Sequence, residues 1–314
     1  MKRFFTFSIV RIALVVLALT LGWKAIRWWD GRGEGFRLHK IQSQVPYDPR
    51  WDLKWSPEEV EQARAALSQP FFYLGHGFQC YAFSSLDGKY VLKFFRYQRL
   101  RLPEFVMGMP SFPLFEEWRK SRLLALSRRQ DYLLRSCKTS WELAKGETAL
   151  LMAHLNRTTG LFPTVSITDS LGQSYTVALD DYQFLLQRKA KLIKPSIIEA
   201  MEAGDTKEAR AYIDRIFALL LHCAKSGIQD TDGALIRKNN LGFLGHQAIY
   251  IDGGKLSPRT TPCTRKEYVK DLRRLRPLEK WLETEYPELA NHFRKAKQRS
   301  VLSFTEEDSQ VCMN

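Results

Sequence analysis

Cysteine is scarce in this chain and badly placed for cross-linking. There are five (Cys80, Cys137, Cys223, Cys263 and Cys312), an odd number without a CxxC pair. That usage excludes a secreted disulfide scaffold and zinc-ribbon spacing, and fits reduced thiols in a cytosolic setting. Histidine is sparse too, six in all with no HExxH, so a structural metal site or a zinc hydrolase is not expected. Cys312 stands two residues from the end, which excludes a prenylation box. No basic module interleaved with aromatic residues is evident, so nucleic acid is not an expected partner.

What the chain does have is ordinary globular content, 45% hydrophobic and 26% charged residues over a length of 314. This is enough for one sizeable two-lobed domain or two small ones. The formal charge of +14 calls for acidic surroundings: an anionic membrane face or phosphorylated small molecules.

The N-terminus begins Met1-Lys2-Arg3 and runs apolar from Phe4 to Trp23, interrupted by Arg11. Such a run reaches the roughly 20 residues a bilayer span needs if Arg11 snorkels toward the headgroups. Trp23, Trp28 and Trp29 then fall at an interfacial belt. A cleaved signal peptide is the alternative, and a buried helix of a soluble protein a third, which the basic start and tryptophan flank disfavour. Against cleavage, no AxA-like site follows, and Lys24, Arg27, Arg32 and Arg37 come directly downstream. Positive charge there keeps the rest of the chain on the cytoplasmic side of an inner membrane. The expected organisation is a single-pass anchor at 1–28, a juxtamembrane linker and short helix at 29–70, two lobes at 71–187 and 188–300, and a frayed tail at 301–314. Ser56-Pro57-Glu58-Glu59 opens the short helix with a capping box.

From Phe71 the pattern turns to strands. Phe71 to Leu74, Gly75-His76-Gly77, Gln79 to Ser84, the hairpin turn Asp87-Gly88 and Lys89 to Phe95 read as strand, loop, strand, turn, strand. On the third strand Val91, Lys93 and Phe95 share a face, since side chains alternate. Pro163 to Thr168 and Ser174 to Leu186 read as two more strands around Asp169-Ser170-Leu171-Gly172, giving an antiparallel sheet of about five. Gln187 to Lys191 follow as a hinge. Asp205 to Glu208 reads as a capping box for an amphipathic helix that ends at Gly227.

In that order these segments resemble the protein-kinase-like superfamily, over about Phe71 to Leu256. Gly75-x-Gly77 lies on the first hairpin, and Tyr90-Val91-Leu92-Lys93 stands where the family has V-A-I-K. Gly227-Ile228-Gln229-Asp230-Thr231-Asp232 stands in the place of G-I-x-H-R-D. Asn240 and Ile249-Tyr250-Ile251-Asp252-Gly253-Gly254 resemble the metal-binding asparagine and the D-F-G segment. The resemblance implies an α+β, two-lobed fold that binds ATP and Mg²⁺. Val91 is expected against the base and Lys93 on the phosphates, with Gly75 and Gly77 in the covering loop. Asn240 and Asp252 are expected to hold the metal, with Asp232 or Asp230 as the carboxylate facing an acceptor hydroxyl. Glu147 is the expected partner of Lys93, with Glu142, Glu116 and Glu117 as alternatives.

The chain departs from the family at several points, among them Ala82 at the valine position that follows the glycines. Cys80 stands at the third glycine position. Asp232 and Asn240 are eight apart where the family has five, and the histidine position is Asp230. No A-P-E motif follows, and only about sixty residues remain after Asp252. Those residues resemble the small helical lobe of small-molecule or lipid-linked-sugar kinases. They are strongly basic through Lys270, Arg273, Arg274 and Arg276, then Arg294, Lys295, Lys297 and Arg299. The expected acceptor is therefore small or membrane-linked. A pseudokinase scaffold or regulator is the alternative, and a basic membrane-surface adaptor a third.

Overall fold

The computed structural model describes residues 17, 18, 20–22, 24, 35–43, 45–108, 113–231, 235, 236 and 239–304. The expected anchor falls largely outside these residues, as do Asp232 and most of the expected tail. Among the described residues no helix is long and apolar enough to cross a membrane.

The N-terminal lobe contains helix α1 (Pro57–Leu67) and strands β1 (Phe71–His76), β2 (Cys80–Ser85) and β3 (Tyr90–Phe95). A short turn α2 (Glu104–Met107), the long helix α3 (Pro113–Leu143) and a single turn α4 (Lys145–Thr148) follow. Then come β4 (Leu150–His154), β5 (Thr164–Thr168), β6 (Ser174–Ala178) and β7 (Phe184–Arg188). The C-terminal lobe holds β8 (Lys191–Leu192), α5 (Ile193–Glu202), α6 (Thr206–Lys225), β9 (Ile228–Asp230), β10 (Leu241–Leu244), β11 (Gln247–Tyr250) and β12 (Leu256–Pro258). It closes with α7 (Arg265–Leu272), α8 (Arg276–Glu285) and α9 (Pro287–Leu302).

The mixed α+β fold is as expected, but the sheet has seven strands, in the order β4-β7-β3-β2-β1-β5-β6. Two departures produce the difference. Leu150–His154 is a strand, hidden from its sequence pattern because nearly every side chain is buried and alternation is lost. The stretch read as one strand from Ser174 to Leu186 is broken by a 3₁₀ turn at Leu179–Asp181, where Asp180 accepts from the backbone of Leu161 and Phe162. The resulting β5–β6 hairpin joins the far edge through a parallel pairing of β1 with β5; every other ladder in the sheet is antiparallel.

Part of the segment expected as linker also belongs to the folded body. Phe36 and Ile41 are fully buried, and Phe36 meets the rings of Tyr81, Phe83 and Tyr175 edge-on at 5.2 to 5.4 Å. Glycine and charge around these residues hid two apolar anchors whose burial is worth about 1.5–3 kcal/mol each.

Separate cores serve the two lobes. In the first, Phe71, Phe83, Phe94, Phe162 and Phe184 fill one side of the sheet, and Phe95, Leu134 and Trp141 fill the space between its other side and α3. In the second, α6 lies at the centre and buries Ile213, Ile216, Phe217 and Leu220 against α9 and the β10–β11 hairpin. The caps behave largely as their sequences imply: Ser56 with Glu59, and Thr264 with Glu267, form reciprocal capping boxes. At α6 only half the expected box forms. Asp205 accepts from the Glu208 backbone, while the Glu208 carboxylate turns to Arg215 at 2.7 Å.

Candidate active site

A cavity of about 220 Å³ lies between the β1–β2 loop, β3, α3 and the open end of the β10–β11 hairpin. Its position follows from register. Lys93 on β3 stands opposite Ala82 on β2 and Leu185 on β7. On the other side, Leu241 pairs with Tyr250, so Asn240 and Ile251 face each other just beyond the ladder, and the Ile251 amide donates to the Asn240 carbonyl at 2.8 Å. A tight turn at Gly245-His246, with Gly245 at φ 55°, closes the hairpin and makes this possible. Lys93, Asn240 and Asp252 thereby line one cavity, as does Gly77.

The ammonium of Lys93 donates to Gln187 Oε1 at 2.6 Å and to the carbonyl of Ile251. Burial lowers its pKa, and the Asp252 carboxylate pulls in the opposite direction. Gln187 has its own amide shared between the carbonyls of Thr148 and Tyr250, the latter at 2.9 Å. One side chain thus ties β7 to α4 and to the strand that delivers Asp252. Asp252 Oδ1 accepts from the Gly254 amide at 3.0 Å.

The Gly253-Gly254 pair is needed for closure. A Cβ at Gly253 would sit 2.6 Å from Ser140 Oγ on α3, and one at Gly254 would run into the Gln79 side chain from the β1–β2 loop. Ser140 and Ser136 both donate to the Gly253 carbonyl, at 2.8 and 3.0 Å, and Ser136 also reaches the Leu256 carbonyl at 2.8 Å. Gln79 donates to the Gly254 carbonyl at 3.2 Å. Arg96 steadies the loop from behind: its guanidinium donates to the Gly77 carbonyl and its backbone amide to that of Gln79. The loop is thus tied to the Asp252 segment along one side of the cavity.

Other expected site residues lie elsewhere. Val91 is buried opposite Gln187 and Ser84 and is not part of the cavity wall; Ala82, Phe95, Leu150 and Leu185 supply its apolar surface. Gly75 sits at a bulge in β1 with φ 153°, next to the loop but outside the lining. Glu147 is directed to the second lobe, where it meets His222 Nε2 at 2.9 Å. The alternatives are also engaged locally: Glu116 with Arg119, Glu117 with Lys120 and Glu142 with Lys138. Among the described residues no glutamate pairs with Lys93. The face of α3 toward the cavity carries Leu133, Cys137 and Ser140, residues at helical spacing with no acid among them.

Asp230 is held structurally. Its side chain is 2% exposed, Arg274 Nη1 lies 3.3 Å from its carboxylate, and the same nitrogen donates to its carbonyl at 2.7 Å. Asp232 is outside the described residues. Its neighbour Thr231 is fixed by the Tyr132 hydroxyl at 2.6 Å and by the Lys255 carbonyl. The cavity thiols do not offer a nucleophile. Burial pushes Cys80 up to about 12 and raises Cys137 well above the ordinary thiol value.

The donor set suits a hard cation. Asn240, 5% exposed, and Asp252 both line this space, and one amide oxygen with one carboxylate would leave other positions for phosphate and water as Mg²⁺ prefers. Sequence reasoning missed Gln79, Gln187, Ser136 and Ser140. Amides and hydroxyls carry no signal of their own until a partner backbone is brought near.

No sequence-family model matches the chain, and no curated protein matches it. Among solved structures, one described as the bifunctional kinase-methyltransferase WbdD is 16% identical, with a TM-score of 0.33. The match covers 75% of this chain and 48% of that one, so the chain spans about half the length of that protein. A second, a streptomycin-ATP-APH(2")-IIa ternary complex, is 13% identical with a TM-score of 0.27, covering 82% of this chain and 99% of that chain. At these scores neither likeness carries weight for the site, which rests on the topology and distances above.

Proposed function

We propose that the chain is a kinase-like phosphotransferase that uses ATP and Mg²⁺ on a small or membrane-linked hydroxyl acceptor. The observation that carries this reading is the meeting of Lys93, Asn240 and Asp252 in one cavity beneath a glycine-bearing loop. Phosphoryl transfer asks a protein mainly for positioning and charge neutralisation, and these three groups fit that need. Lys93 holds phosphate oxygens, exchanging the Ile251 carbonyl for them. Asn240 and Asp252 hold the metal, which when bound neutralises charge on the phosphates. The acceptor oxygen bonds to the terminal phosphorus as the bond to the bridging oxygen breaks. ADP leaves with that electron pair, and the hydroxyl proton passes to Asp232. The buried ion pair with Arg274 argues for Asp232 over Asp230 in this role.

The apolar run from Phe4 to Trp23 and the basic residues after it support an inner-membrane anchor with the folded part facing the cytoplasm. The net charge of +14 fits an anionic membrane surface as neighbour.

A second reading is favoured by one observation. Among the described residues Lys93 has no glutamate partner, and its ammonium is spent on Gln187 and a backbone carbonyl. A pseudokinase that binds nucleotide without transferring phosphate would carry such a lysine. Mg·ATP should raise the melting temperature of the protein, and Lys93→Ala and Asp252→Ala should each abolish the rise. Turnover of ATP separates the enzyme from the pseudokinase. A well-folded wild type with no rise at millimolar Mg·ATP would sink both.

A further inference from the structure

On the outer side of the β1–β2 loop lies a second depression, a groove of about 590 Å³ between that loop, the turn after β3 and α3. It shares Gln79 and Leu133 with the cavity, so the two spaces are separated only by the loop tip and one leucine. Its walls carry Arg96, Arg99, Arg128, Arg129 and Lys255, and no carboxylate lines it. Among the described residues no acid pairs with any of the four arginines.

Crowding like charges is unfavourable unless something neutralises them. Here the crowding is built in. Arg96 is 8% exposed, fixed over the Tyr81 ring at 4.7 Å and bonded through Nη1 to the Gly77 carbonyl, while its buried Nε has no hydrogen-bond partner. Arg99 lies over the Phe78 ring at 4.6 Å, and its pKa is lowered by burial and then by the guanidinium of Arg96. Arg128 and Arg129 come from one turn of α3, and Tyr132 follows on the next. A planar guanidinium cluster of this kind matches the oxygens of a phosphate group.

Two exposed rings complete the groove. Phe78 at the loop tip is 66% exposed and Tyr132 on α3 is 44% exposed, which is unusual for large aromatic side chains unless something covers them. The Tyr132 hydroxyl bonds to Thr231, so the groove reaches the end of β9. We propose that this groove is the acceptor subsite. It takes a hydroxyl compound that already bears a phosphate, such as a phosphorylated sugar or polyol, free or at the head of a lipid. The arginines grip the existing phosphate, Phe78 and Tyr132 pack on the carbon skeleton, and the hydroxyl is turned toward Thr231. This inference rests on the phosphotransferase reading and names its substrate class.

The test uses the full chain and keeps the two readings apart by titrating two probes separately. ADP with Mg²⁺ reports the cavity, and glycerol 3-phosphate without nucleotide reports the groove. Wild type should bind both. Arg128→Gln/Arg129→Gln should weaken glycerol 3-phosphate by about tenfold or more while leaving ADP within about twofold. Arg99→Gln, a single change in a different wall, should weaken the ester in the same selective way. Vesicles of phosphatidate, set against phosphatidylcholine alone, distinguish a lipid headgroup from a free ester; selective capture lost in the double variant assigns the lipid form. Glycerol 3-phosphate and phosphatidate both unbound by wild type that binds ADP would overturn the proposal. So would equal weakening of ADP and ester in the variants, which would make the arginines part of the nucleotide site. Ester binding that the variants lose, in a protein that never binds ADP, overturns the acceptor role through the parent reading and leaves the groove an anion site.

Discussion

The cavity and the groove meet at Gln79 and Leu133, yet their chemistry is opposite. In the cavity the Lys93 ammonium is matched by the Gln187 amide oxygen, the Ile251 carbonyl and the charge of Asp252. In the groove arginines from two elements stand together with no acid beside them. The first has arranged its own charges into a closed network, whereas the second leaves its charges for something else to complete. A site satisfied by its own chain admits a ligand only by exchanging partners, so a phosphate in the cavity must take the place of a bond that Lys93 now makes. Among the described residues the groove's arginines have no acid to exchange.

The largest effect expected from breaking this contrast is at Lys93. Lys93→Met should remove the nucleotide-induced stabilisation of roughly 2.7–4.1 kcal/mol expected at about 100–1,000 times the dissociation constant, and leave glycerol 3-phosphate binding intact. Thermal melts with each ligand measure both. A loss of both together would mean that the two spaces act as one.

Next comes acid, which tests the sheet that supports both. His154 is fully buried, and its Nδ1 lies 2.7 Å from the Tyr182 carbonyl. Burial pushes its pKa from 6.5 down to about 4. The unfolded chain therefore takes up a proton that the native chain refuses as pH falls from about 6.5 to about 4, and native stability is lost over that window. The loss should reach about 3 kcal/mol, level off below it, and be much reduced in His154→Gln, as denaturant melts at successive pH values would show. Cavity and groove should fail together, because β4 and β7 carry one and brace the other.

A smaller effect is expected at Gly253→Ala. The new methyl meets Ser140 Oγ, and overpacking of this kind costs about 1–3 kcal/mol. Nucleotide binding should weaken with it and ester binding should not. The mildest change is Gln79→Ala, which frees the Gly254 carbonyl at a cost of about 1 kcal/mol or less. It should speed nucleotide association in stopped-flow while hardly moving the melting point. An unchanged rate would show that the loop does not gate the cavity.

Much of this was legible in the sequence wherever a local rule decides the outcome. The Asp87-Gly88 turn, the alternating strands around it and the Ser56 and Thr264 caps are local chemistry, and they stand where the residues put them. Asn240 and Asp252 came together because a short hairpin fixes the distance between its own ends. What failed depends on partners far along the chain. No local pattern announces that β5 pairs beside β1, or that β4 is a strand buried on both faces. Which face of α3 looks inward is likewise a matter of packing. Leu133, Cys137 and Ser140 won that face, so a glutamate expected opposite Lys93 turns up against His222 instead.

The placement of β5 also sets a timetable. β1 gains its second neighbour only when Ile167 and Thr168 arrive, 96 residues after Phe71 and Phe72 that they pair with. Closing so long a span costs chain entropy before it returns any contact, the mark of slow steps in folding. During synthesis the glycine-loop strand therefore emerges early and waits with one edge bare. In that interval it is open to wrong pairing with another nascent chain, a hazard that exposed strand edges carry generally. Once the hairpin docks, the second edge of β1 is paired at Phe71 and Phe72, and the end that leads into the cavity loop is held from one side, by β2.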